Sequence, residues 1–333
     1  MRKESNLTKP LLSVCLITYN HVKYIEQAIE GVLMQQTNFS FDLIIADDFS
    51  IDGTREIVIN YKKKYPALIK LILQQKNVGA AQNWIELITT PSAKYIAYFE
   101  GDDYWTDPLK LQKQVDFLEA NEDYAICFHR VCEWRNGEDI RLSTLNNSTE
   151  EETYTIEDLA VNNFIHTPSV IFRNGLIKQM PDWFVDSPVG DYPLHMLNAR
   201  SGKIKYLPEP MAVYRDSVGI WSTQTYQYRL KKGIIMLDLL TQHFDEANVL
   251  KNLVTQQVNF YKSLHELNDS IFLDKKQLVI KRLLDTVNEK DWELLEIKKR
   301  HALLLAKGES VKELLKALVK RLRIKLIDFK FSR

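Results

Sequence analysis

Residues 13–20 of this 333-residue chain read SVCLITYN, and residues 42–54 read DLIIADDFSIDGT. Each stretch contains a short apolar run that predicts a buried β-strand, and each run ends in polar residues. A helical spacing of apolar residues follows each run, over residues 24–34 and from Thr54 to about residue 65. Strands that alternate with helices predict an α/β fold with a mainly parallel sheet flanked by helices.

The alternation continues with predicted strands at residues 68–73 and 95–99, separated by a predicted helix at residues 80–88. Open sheets of this class bind ligands at the carboxyl ends of their strands. Polar residues follow three of the predicted strands, at 18–20 (TYN), 47–48 (DD) and 100–103 (EGDD). We therefore expect a binding site along that edge of the sheet.

Composition excludes several classes of protein. Lys and Arg number 44, as do Asp and Glu, so no overall basic excess is present to hold nucleic acid. His129 lies between Cys127 and Cys132, but this spacing lacks the paired ligands of a zinc site. The chain has only three cysteines, which is typical of a protein in a reducing compartment. The polar N-terminus predicts no secretory signal, and we find no run of about 18 apolar residues in the sequence. We expect a cytoplasmic protein, whose membrane contact would be peripheral.

Asp102 and Asp103 follow the fourth predicted strand, beside Glu100. Mg²⁺ or Mn²⁺ is held in proteins by one or two carboxylates together with substrate phosphates, which suits this pair. The alternative is turn and capping chemistry, for which Asp107 before Pro108 already offers a side chain. The residues alone leave both interpretations open.

Four segments in order resemble the family-2 glycosyltransferases: SVCLITYN (13–20), DLIIADDFSIDGT (42–54), KNVGAAQNW (76–84) and YFEGDDYWTDPLKL (98–111). The resemblance covers residues 11–214. It implies a GT-A, Rossmann-like fold and a metal-dependent, inverting transfer of sugar from a nucleotide-diphosphate donor, with a UDP-sugar expected. The implied acceptor is the hydroxyl of a glycan or lipid-linked glycan in bacterial-type surface polysaccharide or lipopolysaccharide assembly, and the implied cofactor is Mn²⁺ or Mg²⁺.

The resemblance also implies roles for residues on the donor side. Asp48 matches the acid that hydrogen-bonds the nucleotide base, Asp102 an acid near the ribose or the metal, and Asp103 the metal-coordinating acid. For Gly79, the alternative to ligand contact is a glycine that only allows the chain to enter the next helix, and the two are equally favoured. The implied nucleotide-sugar-binding residues are Thr18, Tyr19, Asn20, Asp48, Asn77, Gly79, Asn83 and Asp102.

Asp191, in GDYPL at residues 190–194, matches the catalytic base of the family. Its alternative role is to cap the helix that follows, and one residue can do both. Many relatives carry a second acid where this chain has Gly190, so a role for such a neighbour is absent here.

Three further residues, Trp105, His166 and Arg215, are expected on the acceptor side. Trp105 can stack on a sugar face or belong to the core, and Arg215 can pair with phosphate or form a surface ion pair. Asp216 stands where many members of the family carry His, which puts a metal or phosphate contact from that loop in doubt.

Two other functions stay open at this point. One is a nucleotide-sugar or glycan-binding protein without turnover, against which the presence of both Asp103 and Asp191 argues. The other is a nucleotidyltransferase, which would release pyrophosphate and would be expected to carry a glycine-rich basic loop near the N-terminus. The sequence has no such loop.

The expected organisation is an N-terminal extension (1–10), a catalytic domain (11–220) with a donor half (11–130) and an acceptor half (131–220), and a helical C-terminal region (221–333). Amphipathic helices are predicted at 292–305 and 311–326. The apolar stripe of the segment 311–328 is flanked by basic residues, as in helices that bind an anionic membrane surface. Docking of that stripe onto the rest of the protein is the alternative.

Overall fold

The protein is described here by a computed structural model. The residues described are 9–135, 138–216, 218–219 and 221–267. Contacts divide the chain into two units after Gln224. The predicted helices at 292–305 and 311–326, and with them the membrane-binding segment 311–328, lie outside the described residues.

The first unit alternates strands and helices through its first half. Its described strands are β1 (Leu12–Thr18), β2 (Phe41–Asp47), β3 (Ile69–Leu73), β4 (Tyr95–Glu100), β5 (Tyr104–Trp105), β6 (Tyr124–His129), β7 (Cys132–Arg135), β8 (Arg141–Leu142), β9 (Glu152–Tyr154), β10 (Ile171–Arg173), β11 (Lys203–Leu207) and β12 (Ala212–Asp216). Its described α-helices are α1 (Ile25–Leu33), α2 (Thr54–Lys64), α3 (Ala80–Thr89), α4 (Lys110–Ala120), α5 (Ile156–Val161) and α6 (Asp191–Ala199).

The main sheet has the strand order β3-β2-β1-β4-β10-β6-β11-β9. β3, β2, β1 and β4 are parallel to one another, whereas β10 is antiparallel to both of its neighbours. Strand β1 is buried along almost its whole length, as its continuous apolar sequence predicts for a strand covered on both faces. The predicted α/β fold with a mainly parallel sheet is confirmed.

The parallel register brings the polar strand ends to one edge. Thr18 at the end of β1 pairs with Asp47 at the end of β2, and Ile17 pairs with Glu100 at the end of β4. A smaller sheet, in the order β5-β12-β7-β8, begins just beyond β4. Because β12 pairs with β5, a segment more than a hundred residues later in the chain lies beside this edge.

Trp105 belongs to the core and not to an acceptor-facing surface. Its side chain is 2% exposed, its ring lies 4.7 Å from that of Phe99, and its Nε1 donates to the carbonyl of Pro168 at 2.9 Å. The ring is thus already enclosed on its faces and satisfied at its polar atom. Stacking of Trp105 on a sugar, one of the two roles considered from the sequence, does not fit this position.

The second unit contains α7 (Tyr226–His243) and α8 (Ala247–Glu266). The side chain of Thr225 caps α7 by accepting from the amide of Tyr228 at 3.2 Å. The two helices approach closely at Gly233, where a Cβ atom would lie 2.5 Å from the ring of Phe260. Within the described residues, no helix is both long and apolar enough to cross a membrane.

Gly31→Ala tests the contact between α1 and β5. In a helix, Ala is ordinarily more favourable than Gly by about 1 kcal/mol. Here the new Cβ would lie 3.0 Å from the amide nitrogen of Trp105 and 3.1 Å from its carbonyl oxygen, and backbone atoms cannot move aside cheaply. We expect the free energy of unfolding, measured by urea denaturation, to fall by about 1–3 kcal/mol.

The control for this variant is Glu26→Ala, an exposed position in the same helix. It should change the stability little. A rise in stability for Gly31→Ala, of the size that helix propensity alone predicts, would contradict the close packing.

Candidate active site

The turn after β4 gathers three carboxyl groups, from Glu100, Asp102 and Asp103. The turn is closed by hydrogen bonds from the amide of Gly101 to Ile17 at 2.9 Å and from the amide of Asp103 to Glu100 at 3.1 Å. One oxygen atom of each carboxyl group lies within 4.8 Å of one from each of the others. We call residues 100–103 the acid turn.

Burial and mutual repulsion act together on these groups. Burial first, and then the charges of Asp102 and Asp191, raise the pKa of Glu100 to about 8. Burial, followed by the charges of Asp102 and Glu100, raises the pKa of Asp103 well above its usual range. Three carboxylates at this spacing therefore need a positive charge before all of them can ionise.

The acid turn has the donor set that a divalent cation requires. Asp102 and Asp103 are 3% and 1% exposed, and Asp102 Oδ1 and Asp103 Oδ2 are buried without a hydrogen-bond partner among the described residues. Buried polar atoms are normally paired, so two unpaired carboxylate oxygens at one turn call for an explanation. Oxygen ligands of this kind fit Mg²⁺ or Mn²⁺.

The end of β1 lies against the acid turn. A Cβ atom on Gly101 would lie 2.9 Å from Thr18 Oγ1 and 3.0 Å from His21 Nδ1, so only glycine allows this approach. Thr18 is buried and the next residue, Tyr19, is partly exposed. Asn20 has a positive φ of 55°, and its side-chain oxygen accepts from the amide of Ile51 at 3.0 Å, which ties the β1 end to the β2 end.

Asp48 joins the β2 end to the loop before α3. Its two carboxylate oxygens accept from the amides of Val78, at 2.7 Å, and Gly79, at 3.0 Å. Burial raises the pKa of Asp48, and these two hydrogen bonds oppose that effect. Gly79 has a φ of 87°, which favours glycine, and it directly precedes α3; Asn77 Oδ1 accepts from its amide at 3.1 Å.

Asn83 lies deeper than the other predicted donor-side residues. It is completely buried, its amide group donates to the carbonyl of Ala46 at 3.3 Å, and its side-chain oxygen accepts from Gln74 at 3.2 Å. These contacts brace α3 against β2. The structure thus brings Asp48, Asn77 and Gly79 together at the edge and places Asn83 behind them.

Asp191 is the first residue of α6, and Gly190 is the N-cap. Its carboxylate accepts from Asn163 Nδ2 at 3.3 Å. Burial raises the pKa of Asp191, while hydrogen bonds from the amide of Tyr192 and from Asn163, and the electrostatic effect of His166, act in the opposite direction. A Cβ atom at Gly190 would lie 3.2 Å from the indole of Trp84, which explains a glycine at this position.

His166 and Tyr214 are in contact, His166 near Asp191 and Tyr214 near the acid turn. His166 Nε2 is 3.5 Å from Glu133 Oε1, and its ring centroid is 5.1 Å from that of Tyr214. The hydrogen bond with His166 is the main cause that lowers the pKa of Glu133 to about 2. Burial first, and then the charge of Asp103, raise the pKa of Tyr214 well above its usual range.

Arg215 is buried, at 7% exposure, so it does not form an ordinary ion pair at the surface. Its amide donates to Asp103 Oδ1 at 2.8 Å, which places it on the acid turn and away from a surface open to the acceptor. The next residue, Asp216, pairs instead with Arg135 Nε at 2.8 Å.

Sequence reasoning did not assign roles to Glu133, Asn163 or Tyr214, and it left Glu100 beside the metal pair without a role of its own. Glu100 could have been found, since it ends a predicted strand next to two acids. The other three come from separate loops and short strands with no spacing that links them. Only the fold places them near Asp191 or the acid turn.

The raised pKa of Glu100 predicts a pH dependence of stability for the metal-free protein. Between its ordinary value of 4.5 and about 8, the folded protein holds a proton that the unfolded chain has released. The contribution of Glu100 to the free energy of unfolding must therefore fall as the pH rises through this window. We expect wild type to lose stability relative to Glu100→Gln between pH 5 and pH 8, as measured by urea denaturation in the presence of a chelator.

The exposed Glu122→Gln variant is the control and should follow wild type across the same range. A stability difference between wild type and Glu100→Gln that does not change with pH would show that this carboxyl group titrates normally.

Proteins from several bacteria are similar in sequence to this chain. An uncharacterized protein of Mycobacterium tuberculosis (strain ATCC 25618 / H37Rv) is 38% identical over 217 residues, which is 63% of this chain and 60% of that protein. The chain thus spans less than two thirds of the length of this relative. The putative teichuronic acid biosynthesis glycosyltransferase TuaG of Bacillus subtilis (strain 168) is 36% identical over 110 residues, 33% of this chain and 42% of that protein.

Solved structures share the fold at low sequence identity. S. aureus TarS 1-349 in complex with UDP-GlcNAc has a TM-score of 0.53 at 17% identity, covering 90% of this chain and 93% of that one. The mannosyltransferase PcManGT of Pyrobaculum calidifontis, in complex with GDP-Man and Mn²⁺, has a TM-score of 0.50 at 13% identity, covering 88% of each chain. The expected GT-A fold is confirmed by this likeness.

The family model described as Glycosyl transferase family 2 matches residues 13–180. That match runs from β1 through the acid turn to β10, and it accounts for about half of the chain. The chain is therefore a member of glycosyl transferase family 2.

Proposed function

We propose that this protein transfers a sugar from a nucleotide-diphosphate donor to an acceptor hydroxyl, with inversion at the anomeric carbon. The observation that carries the proposal is the position of Asp191, whose charge raises the pKa of Glu100 in the acid turn. Asp191, as the proposed general base, would thus act near a site suited to a cation and a diphosphate. A UDP-sugar is the expected donor, in keeping with the UDP-GlcNAc bound to the TarS neighbour.

Asp102 and Asp103, with Glu100 beside them, would hold Mn²⁺ or Mg²⁺. The ion, when bound, would supply Lewis-acid stabilisation of the negative charge that develops on the leaving diphosphate. Support comes from the two unpaired carboxylate oxygens and from the Mn²⁺ in the PcManGT complex. Asp103 Oδ1 is already fixed by the amide of Arg215, so Asp103 Oδ2 is the oxygen left for the ion.

Asp191 would take the proton from the attacking hydroxyl. Its raised pKa makes its carboxylate a stronger base than an ordinary aspartate, which suits this role. Asn163 and the amide of Tyr192 hold the carboxylate in place at the start of α6. Direct attack by the activated hydroxyl, without a covalent intermediate on the protein, inverts the anomeric centre.

The nucleoside would lie along the ends of β1 and β2. Tyr19 is partly exposed at this edge, and Thr18 contacts the acid turn below it. Asp48 holds the loop that carries Asn77 and Gly79, and the lone pairs that its oxygens keep free can accept from a base. The donor would therefore bind across the strand ends with its diphosphate toward the acid turn.

The acceptor would approach from the side of Asp191 and His166. We infer a glycan or lipid-linked glycan acceptor of surface polysaccharide assembly, supported by the teichuronic acid biosynthesis named for the TuaG relative. A cytoplasmic location at the inner face of the membrane follows if residues 311–328 bind anionic lipid. That part of the proposal is supported by the sequence pattern alone.

Asp191→Asn tests the proposed base. The amide cannot accept the proton, so turnover should fall by roughly 10²-fold to 10⁴-fold while the affinity for UDP persists. The measurements are the release of UDP from a panel of UDP-sugars with candidate acceptors and the binding of UDP by calorimetry. Asp186→Asn, an exposed aspartate nearby in the chain, is the matched control and should keep wild-type turnover. If Asp191→Asn keeps turnover near that of wild type, Asp191 is not the base. If wild type releases pyrophosphate and not UDP, the reaction is nucleotidyl transfer.

Asp103→Ala tests the proposed cation site. We expect the enhancement of UDP affinity by Mn²⁺ to be lost, while the UDP affinity without metal stays close to that of wild type. Calorimetry with and without Mn²⁺ measures both quantities. The control is Asp123→Ala, whose exposed carboxylate pairs with the Lys203 ammonium at 2.8 Å. An equal Mn²⁺ effect in wild type and Asp103→Ala would exclude this residue as a ligand.

A further inference from the structure

We propose that Arg215 is a positioning residue for the acid turn, which supplies a fixed positive charge and aims the unpaired oxygens of Asp102 and Asp103 toward the cation. The inference rests on the proposed cation site. It concerns a residue that the sequence placed on the acceptor side instead.

The pairing of β12 with β5 explains how Arg215 reaches the acid turn. Val213 lies opposite Tyr104 in this antiparallel pair, and Arg215 follows two residues later on β12. The amide of Arg215 donates to Asp103 Oδ1 at 2.8 Å, a long-range bond between buried groups. One backbone position on β12 therefore fixes one oxygen of the metal-binding pair.

The guanidinium group makes a second contact with the same turn. Its Nη1 donates to the backbone carbonyl of Asp102, and its Nη2 donates to Gln27 Oε1 on α1. The group lies between two aromatic rings, 4.8 Å from the centroid of Tyr24 and 4.5 Å from that of Tyr104. A planar, delocalised cation suits this stacked position better than an ammonium group.

These contacts leave the candidate ligand atoms free. Arg215 bonds to the carbonyl of Asp102 and not to its carboxylate, and it occupies only Oδ1 of Asp103. The two buried oxygens without a partner, Asp102 Oδ1 and Asp103 Oδ2, are those that Arg215 does not touch. Arg215 thus lowers the electrostatic cost of assembling the acid turn without competing for its open positions.

A close approach by Gly219 confines Asp102 from another direction. A Cβ atom on Gly219 would lie 2.8 Å from Asp102 Oδ2, so the chain just after β12 leaves that carboxylate little room to rotate. Arg215 and Gly219 come from the same stretch of chain. Together they fix the backbone and the side chain of Asp102.

The test compares Arg215→Met and Arg215→Lys with wild type in the full chain. Met keeps much of the apolar bulk of the side chain but removes the charge, whereas Lys keeps the charge but removes the planar guanidinium group. Mn²⁺ is titrated by calorimetry into protein saturated with UDP, and UDP is titrated separately in a chelator. We expect Arg215→Met to weaken Mn²⁺ binding by ~10–100-fold, the usual effect of losing a partner that orients metal ligands. Arg215→Lys should lose less, and UDP affinity in chelator should stay within about twofold of wild type.

Arg173→Met is the matched structural control. The side chain of Arg173 also donates to backbone carbonyls, those of Tyr124, Leu118 and Asn121, but it lies on β10 and its hydrogen bonds go to residues outside the acid turn. This variant should lower the melting temperature and leave the Mn²⁺ affinity unchanged. A purely structural role for Arg215 would give the same result for both arginines.

Each outcome decides a separate point. Wild-type Mn²⁺ affinity in both Arg215 variants overturns the inference and leaves the proposed function standing. Equal losses of UDP affinity with and without Mn²⁺ also overturn it, because they show general disruption of the site. If Arg215→Met does not fold, Arg215→Lys decides alone by the same measurement. If wild type itself shows no effect of Mn²⁺ or Mg²⁺ on UDP binding, the cation part of the proposed function fails and the inference fails with it.

Discussion

Repulsion among three carboxyl groups at the end of β4 is the constraint on which the site depends. Glu100, Asp102 and Asp103 lie within four consecutive positions, and burial removes water that would otherwise screen their charges. A folded chain can keep such a group only by holding protons, by binding a cation or by placing a fixed positive charge nearby. The raised pKa values of Glu100 and Asp103 correspond to the first of these means. The carboxylate oxygens without a partner among the described residues correspond to the second, and Arg215 corresponds to the third.

Each of the two sheets contributes part of this edge. The parallel strands β1, β2 and β4 bring polar ends together because their register is fixed by apolar residues buried on both faces. The smaller sheet then returns β12 to the acid turn through its pairing with β5. The first arrangement joins strands of the regular strand–helix alternation, whereas the second pairs β5 with a strand that comes after the whole of that alternation.

This difference explains what the sequence could predict. The strand predicted at 13–18 is observed as Leu12–Thr18, and the helix predicted at 80–88 as Ala80–Thr89, because local apolar spacing determines both. The antiparallel insertion of β10 between β4 and β6 depends on long-range pairing that no local pattern encodes. The sequence allows either role for Trp105, whose neighbours in sequence are polar. In the structure Gly31 on α1 lets β5 approach closely, and the side chain of Trp105 is buried.

Asp48 shows why matching a motif does not by itself describe a site. The motif assigns this carboxylate to the nucleotide base, but in the folded chain both of its oxygens already accept backbone amides, from Val78 and Gly79. Each oxygen keeps a further lone pair, so Asp48 can bind a base only in a direction set by these two bonds. The positive φ of Gly79 presents its amide to Asp48, and the loop and the carboxylate therefore fix each other. The Asp48–Gly79 pair is therefore one structural unit at this edge, in which neither residue has a separate role.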